Sequence, residues 1–161
     1  EIFVEKNSPR YIICRPGWMM GGGPKKDKKF IQKIMAQIKQ GNRELFIVND
    51  KLGSPTYTHD FAGNVKSLIQ KELWGLYNMV CSGVTSRFEV TQELLKVLGM
   101  TDTIKITPVQ SDHWKKEYFA ERPPSERLIN KKLELRGLNQ MRDWRICLSE
   151  YIKHYYQGYL G

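Results

Sequence analysis

The sequence predicts an α/β fold, one unit over residues 1–161, and three observations carry that prediction. Short apolar runs alternate along the chain with segments whose apolar residues recur at helical spacing, so strands and helices come in turn rather than in blocks. A length of 161 residues with 40% apolar composition suits one core and is short for two. Pro-Gly and Gly-Ser-Pro turns stand at the junctions between the two kinds of segment.

Tyr11 to Arg15 reads as a strand buried on both faces, ended by Pro16-Gly17, and Gly21-Gly22-Gly23-Pro24 reads as a flexible loop. Between Lys29 and Gln40, Phe30, Ile31, Ile34, Met35 and Ile38 mark one face of a helix that Gly41 terminates. Glu44 to Val48 is a second strand. After Gly53-Ser54-Pro55, Phe61, Val65, Leu68 and Ile69 share a helix face, with Thr58 as its N-cap. Gly75 to Val80 is a third strand. Ser86-Arg87-Phe88-Glu89 has the spacing of a capping box, opening a helix that runs through Leu94, Leu95 and Leu98 to Gly99. Ile104 to Val109 is a fourth strand, placed at an edge because Pro108 has no N–H for a ladder. Gln110 to Pro124 lacks periodicity and carries Trp114, Tyr118, Phe119 and Arg122, a composition more common in functional stretches than in plain connections. Asn130 is placed to cap a short helix ending at Arg136-Gly137, and Trp144, Leu148, Ile152 and Tyr155 form a stripe on a last helix from about Asp143 to Gln157.

The net charge of +9 points to an anionic partner, or to well-solvated lysine faces, and does not choose between them. Zinc-finger spacing, an RNP-type aromatic strand and a KH-like loop are all missing from the sequence, so nucleic acid is not the expected partner. No apolar run approaches the roughly 20 residues that cross a bilayer. Cys14, Cys81 and Cys147 lie in apolar settings without metal or redox spacing, and read as reduced, buried thiols of a cytoplasmic protein. His59, His113 and His154 are scattered; no metal site and no catalytic constellation is expected from this chain. The G-x-G-x-x-G dinucleotide motif is absent, and the chain opens on Glu1 rather than Met, as a piece of something longer would.

Taken in order, Arg15-Pro16-Gly17-Trp18-Met19-Met20-Gly21, then Asp50 to Ala62 (DKLGSPTYTHDFA), then Gly75-Leu76-Tyr77-Asn78, then Ala120-Glu121-Arg122-Pro123-Pro124-Ser125, resemble the second half of dTDP-4-dehydrorhamnose reductases, which are extended short-chain dehydrogenase/reductases. Lys51, Phe61 and Pro16 depart from the residues usual in that family. The resemblance implies the C-terminal portion of a Rossmann-type fold, including its substrate-binding lobe. It further implies that the Gly-rich NAD(P) loop and the Tyr-x-x-x-Lys pair lie in a missing N-terminal half, whose last helix would end at Glu1-Ile2-Phe3-Val4. The complete enzyme would reduce a dTDP-4-keto-6-deoxysugar with NADPH or NADH. This chain alone would bind neither cofactor tightly, would be inactive, and would self-associate through the surface left open. A non-catalytic relative, similar to the regulatory subunit of methionine adenosyltransferase, is the alternative.

The same resemblance assigns Pro16 and Gly17 to the cofactor side of the cleft and Trp18, Thr56 and Arg122 to the substrate. Glycine lets backbone approach a flat ring, an indole offers an apolar face and one N–H to a deoxysugar, and a guanidinium grips a diphosphate with two hydrogen bonds. Each assignment has a plainer counterpart: Trp18 as core, Arg122 as a structural ion pair, Thr56 and Asp60 as turn and cap chemistry.

Overall fold

The computed structural model describes residues 1–114 and 123–161. The order of elements is α1 (Ile2–Asn7), β1 (Ile12–Arg15), β2 (Trp18–Met20), α2 (Gly23–Lys26), α3 (Phe30–Lys39), β3 (Glu44–Val48), β4 (Leu52–Gly53), β5 (Pro55–Tyr57), α4 (Thr58–Gln70), β6 (Gly75–Asn78), β7 (Thr85–Ser86), α5 (Arg87–Val97), β8 (Lys105–Val109), a 3-10 turn (Ser111–Trp114), β9 (Ser125–Glu126), α6 (Lys131–Leu135) and α7 (Trp144–Tyr155).

Three pairs of strands run parallel. β1 pairs with β6 from Ile12↔Gly75 to Arg15↔Asn78, β2 with β5 from Trp18↔Pro55 to Met20↔Tyr57, and β3 with β8 from Glu44↔Lys105 to Val48↔Val109. A fourth, mixed ribbon places β4 between antiparallel β7 and parallel β9. Parallel pairing requires a crossover, and α2, α3, α4 and α5 lie in the connections between the paired strands. Pro108 lies on β8, which pairs only with β3 among the described residues, so its missing N–H faces no ladder there.

The core gathers α3, α5 and α7 around β3 and β5. Ile31, Ile34, Met35 and Ile38 fill the inner face of α3, and Leu94 and Leu95 that of α5. On α7 the buried side chains are Trp144, Cys147, Leu148, Tyr151 and Ile152, while Tyr155, expected in the stripe, stands outside. The capping box of α5 is complete: the Ser86 hydroxyl accepts from Glu89 N–H at 3.1 Å and the Glu89 carboxylate accepts from Ser86 N–H at 2.7 Å.

Four local expectations are corrected. β1 is half-buried at Ile12, Ile13 and Cys14 and exposed at Arg15, because among the described residues it is paired on one edge only, to β6. Of Gly21 to Gly23, read as a loop, Gly23 instead opens the short α2, with Pro24 in its first turn and the Gly23 position packed against the Tyr155 ring; all three glycines take positive φ. Thr58 lies inside α4, whose N-cap is Tyr57 and receives no side-chain hydrogen bond. Asn130 precedes α6 as expected but does not cap it; its side chain accepts from Val80 N–H at 2.9 Å and donates to Val80 O at 2.7 Å, tying α6 to the end of β6.

The inner face of α4 is also different in kind from the apolar stripe. Asp60, Asn64 and Leu68 are buried, Phe61 and Val65 are half-buried, and Ile69 is exposed. The polar residues turn inward because their partners are there. Arg142 grips Asp60 through Nε (2.9 Å) and an Nη (2.7 Å), and Asn64 accepts Gln140 N–H at 3.2 Å. Burial alone would raise the Asp60 pKa, but the Arg142 hydrogen bonds, one from Cys147 Sγ and the Arg142 charge together hold it below the ordinary carboxylate value.

Candidate functional site

β1 and β2 follow one another across Pro16-Gly17, and β4 and β5 across Ser54. β2 and β5 run side by side in parallel with Trp18 opposite Pro55, and Trp18 N–H donates to Ser54 O at 2.9 Å, so backbone meets backbone where the two breaks adjoin. A Cβ on Gly17 would collide with the Ser54 carbonyl oxygen, which gives glycine a reason at this position inside the protein itself. Thr56 locks the junction. Its side chain is fully buried, and its hydroxyl accepts from Gly17 N–H at 2.8 Å and donates to Met79 O at 3.3 Å. Both hydrogen-bonding roles are therefore taken within the chain.

Pro16 follows the carboxyl end of β1, and Asn78 closes β6 beside it. In open α/β sheets ligands gather at the carboxyl ends of parallel strands. Here that edge carries an unsatisfied acceptor: Asn78 Nδ2 donates to Ile129 O at 3.1 Å, but its buried Oδ1 has no partner among the described residues. A buried acceptor without a donor is costly, so a group that supplies an N–H or O–H at this edge is favoured.

Trp18 opens β2 instead of lying beyond a strand end, and it is half-buried. Its indole N–H, expected to be offered to a sugar hydroxyl, donates to Glu126 Oε2 at 2.7 Å. The Arg87 guanidinium lies 4.7 Å from the centre of the Trp18 ring and 4.9 Å from that of Phe30. Arg122 falls outside the described residues, as do Tyr118 and Phe119. Pro16, Gly17, Trp18 and Thr56 are thus brought together where β2 and β5 begin their parallel pairing. Glu126 and Arg87, which complete this junction, carry no local signal in the sequence: Glu126 reaches Trp18 across 108 positions.

Burial, with Glu150 adding, pushes the Tyr57 phenol up to about 12, and Tyr151 is raised further by burial and by its hydrogen bonds to Tyr156 and Asp27. Among the described residues no cluster of His, Cys, Asp or Glu is arranged to hold a metal, and no helix is long and apolar enough to cross a membrane. A shallow depression of about 510 Å³ on the outer side of α5 and α7, lined by Glu93, Arg145, Ile146 and His154 among others, includes none of the predicted site residues.

Residues 1–157 match the family described as RmlD substrate binding domain. The chain belongs to the RmlD substrate-binding domain family. It is 29% identical over 143 residues to a dTDP-4-dehydrorhamnose reductase of Mycolicibacterium smegmatis, covering 88% of this chain and 42% of that protein. A crystal structure of a dTDP-4-dehydrorhamnose reductase from Clostridium acetobutylicum superposes with a TM-score of 0.83 at 30% identity, over 94% of this chain and 51% of that one. Another, from Bacillus anthracis in complex with NADP, gives a TM-score of 0.80 at 27% identity over 95% and 51%. The chain spans about half the length of the relatives it matches. The RmlD substrate-binding domain thus adopts the α/β architecture of part of an extended short-chain reductase, as the motifs at Arg15 to Gly21 and Asp50 to Ala62 imply.

Proposed function

We propose that this chain is the substrate-binding part of an NAD(P)H-dependent reductase of dTDP-4-keto-6-deoxysugars, completed by a dinucleotide-binding half that precedes Glu1. The observation that carries the reading is the close backbone junction of Gly17 and Ser54, which holds Trp18 next to the carboxyl ends of parallel β1 and β6. The reductase names of the relatives favour catalysis over a partner-binding role.

The strand-end edge fits the nicotinamide side of such a cofactor. Pro16-Gly17 stand beside that edge, and the buried Asn78 Oδ1 lacks among the described residues the donor that a carboxamide supplies. When bound, NADPH or NADH would provide the hydride. This chain's residues do the rest of the positioning: Thr56 fixes Gly17, Gly17 and Ser54 fix the start of β2, and Trp18 presents an apolar ring surface against which a deoxysugar is oriented. By resemblance, Arg122 holds the diphosphate.

Two measurements test the reading in the protein that includes the preceding sequence. NADPH oxidation that depends on dTDP-4-dehydrorhamnose is expected, and its absence with every 4-keto-6-deoxysugar nucleotide supplied contradicts the proposal. Trp18→Ala is expected to lower kcat more than it raises KM, because a misplaced carbonyl carbon loses rate before it loses binding.

A further inference from the structure

We propose that Glu126 is the positioning residue of the sugar site: its carboxylate clamps the Trp18 indole so that the substrate meets a fixed apolar ring and never its N–H. The inference rests on the reading of Trp18 as a wall of the sugar site. An indole has a single hydrogen-bond donor and no acceptor. In this protein that donor is committed to a carboxylate at 2.7 Å, the charge-assisted and therefore stronger kind of bond.

The clamp is built from separate elements that converge on one ring. Glu126 lies on β9, in register with Gly53 of β4. A Cβ at Gly53 would collide with the benzo edge of the Trp18 indole, so the glycine lets the ring lie directly on the β4 backbone. Arg87, the first residue of α5, covers the ring at 4.7 Å and reaches Phe30 at the start of α3. The N–H edge, the benzo edge and one contact surface are thus each held by a different strand or helix. A core tryptophan commonly engages its N–H as well; a tryptophan that must hold one tilt beside a reacting carbon needs its edges fixed besides, since small errors of placement there cost large factors in rate.

The arrangement also assigns a preference. With its donor engaged, the ring selects for a C–H-rich sugar face, as a 6-deoxysugar presents, and gives no hydrogen bond to an extra hydroxyl.

The test is a double-mutant cycle in the complete protein, with dTDP-4-dehydrorhamnose and NADPH, joined to an NMR readout on the 161-residue chain labelled with 15N-tryptophan. Glu126→Ala is expected to lower kcat about tenfold with little change in KM. Glu126→Gln, whose amide oxygen still accepts from the indole, is expected to stay within about threefold of wild type. In a Trp18→Phe background, which has no N–H to clamp, Glu126→Ala is expected to add nothing. The Trp18 indole N–H resonance, identified by its loss in Trp18→Phe, is expected to move upfield and exchange faster in Glu126→Ala. Additive effects in the cycle, or wild-type kcat for Glu126→Ala while Trp18→Phe is slow, would overturn the proposal and leave the sugar-site reading intact. Wild-type kinetics for Trp18→Phe would remove that reading and the proposal with it, and the indole resonance would then report a clamp of structural purpose alone. If Glu126→Ala does not fold, Glu126→Gln decides: a tenfold loss with the resonance unmoved contradicts the proposal.

Discussion

The region formed by α3, α5 and α7 and the region formed by α1, β1 and the outer face of α4 are made from similar residues, yet only the first is closed. Leu94, Tyr151, Leu148 and Met35 are fully buried, each ringed by partners from other elements. Ile2 and Phe3 of α1 are 68% and 77% exposed, Ile69 of α4 is 54% exposed, and β1 is a half-buried strand with one paired edge among the described residues. A protein surface holds many single apolar side chains without consequence, but an open strand edge is a template for pairing. The difference separates a region closed by contacts within the chain from one that leaves a strand edge and apolar side chains open. The second is the margin against which we propose that the dinucleotide-binding half packs.

That contrast can be broken by substitution. Leu94→Ala in the closed region is expected to cost about 3 kcal/mol of unfolding free energy, from lost burial and a residual cavity, whereas Ile69→Ala in the open margin is expected to cost less than about 0.5 kcal/mol. Urea titration of the 161-residue chain compares the two directly. Equal losses would mean that the margin is already packed.

Asp60 stands between the regions, on α4 but fastened to Arg142 before α7. Asp60→Asn is expected to cost about 2 kcal/mol at neutral pH, below the full penalty of a broken buried pair because the Arg142 side chain is 38% exposed and regains water. The sign of the pH dependence follows from the lowered pKa of Asp60. Its contribution is present above the unfolded carboxylate value, about 3.9, and is lost as pH falls through the lower folded value. Wild type and Asp60→Asn are therefore expected to converge in stability at strongly acid pH, and a gap that stays constant with pH contradicts the assignment.

A small effect on stability is also expected at Phe3→Ser combined with Ile69→Ser, since these side chains are 77% and 54% exposed. Their effect belongs to association instead. Sedimentation of the wild-type chain is expected to show self-association that the double variant reduces. A wild-type chain that stays monomeric at high concentration would count against an unfilled margin.

Local patterns in the sequence carried most of the fold. The stripe of Ile31, Ile34, Met35 and Ile38, the Ser86–Glu89 box and Pro108 at an edge depend on neighbours within a turn or a ladder, so their spacing suffices to read them. What escaped depends on partners far along the chain. Asp60 and Asn64 turn inward because Arg142 and Gln140 wait there, and Asn130 leaves its cap for Val80, choices that no window of neighbouring residues contains. The site divides the same way. The motifs located Pro16, Gly17, Trp18 and Thr56, but the glycine proved to meet Ser54, the threonine proved fully buried, and the indole donor proved committed to Glu126.

Hydrogen–deuterium exchange, compared between the 161-residue chain and the protein that includes the preceding sequence, tests the division most directly. The amides of α5 and α7 are expected to exchange alike in both. Those of Ile12 to Arg15 on β1 are expected to exchange at least about tenfold more slowly once the preceding sequence is present, as an open edge becomes a paired one. Equal protection of β1 in the two proteins would contradict the account, because the margin would then be complete without any other body.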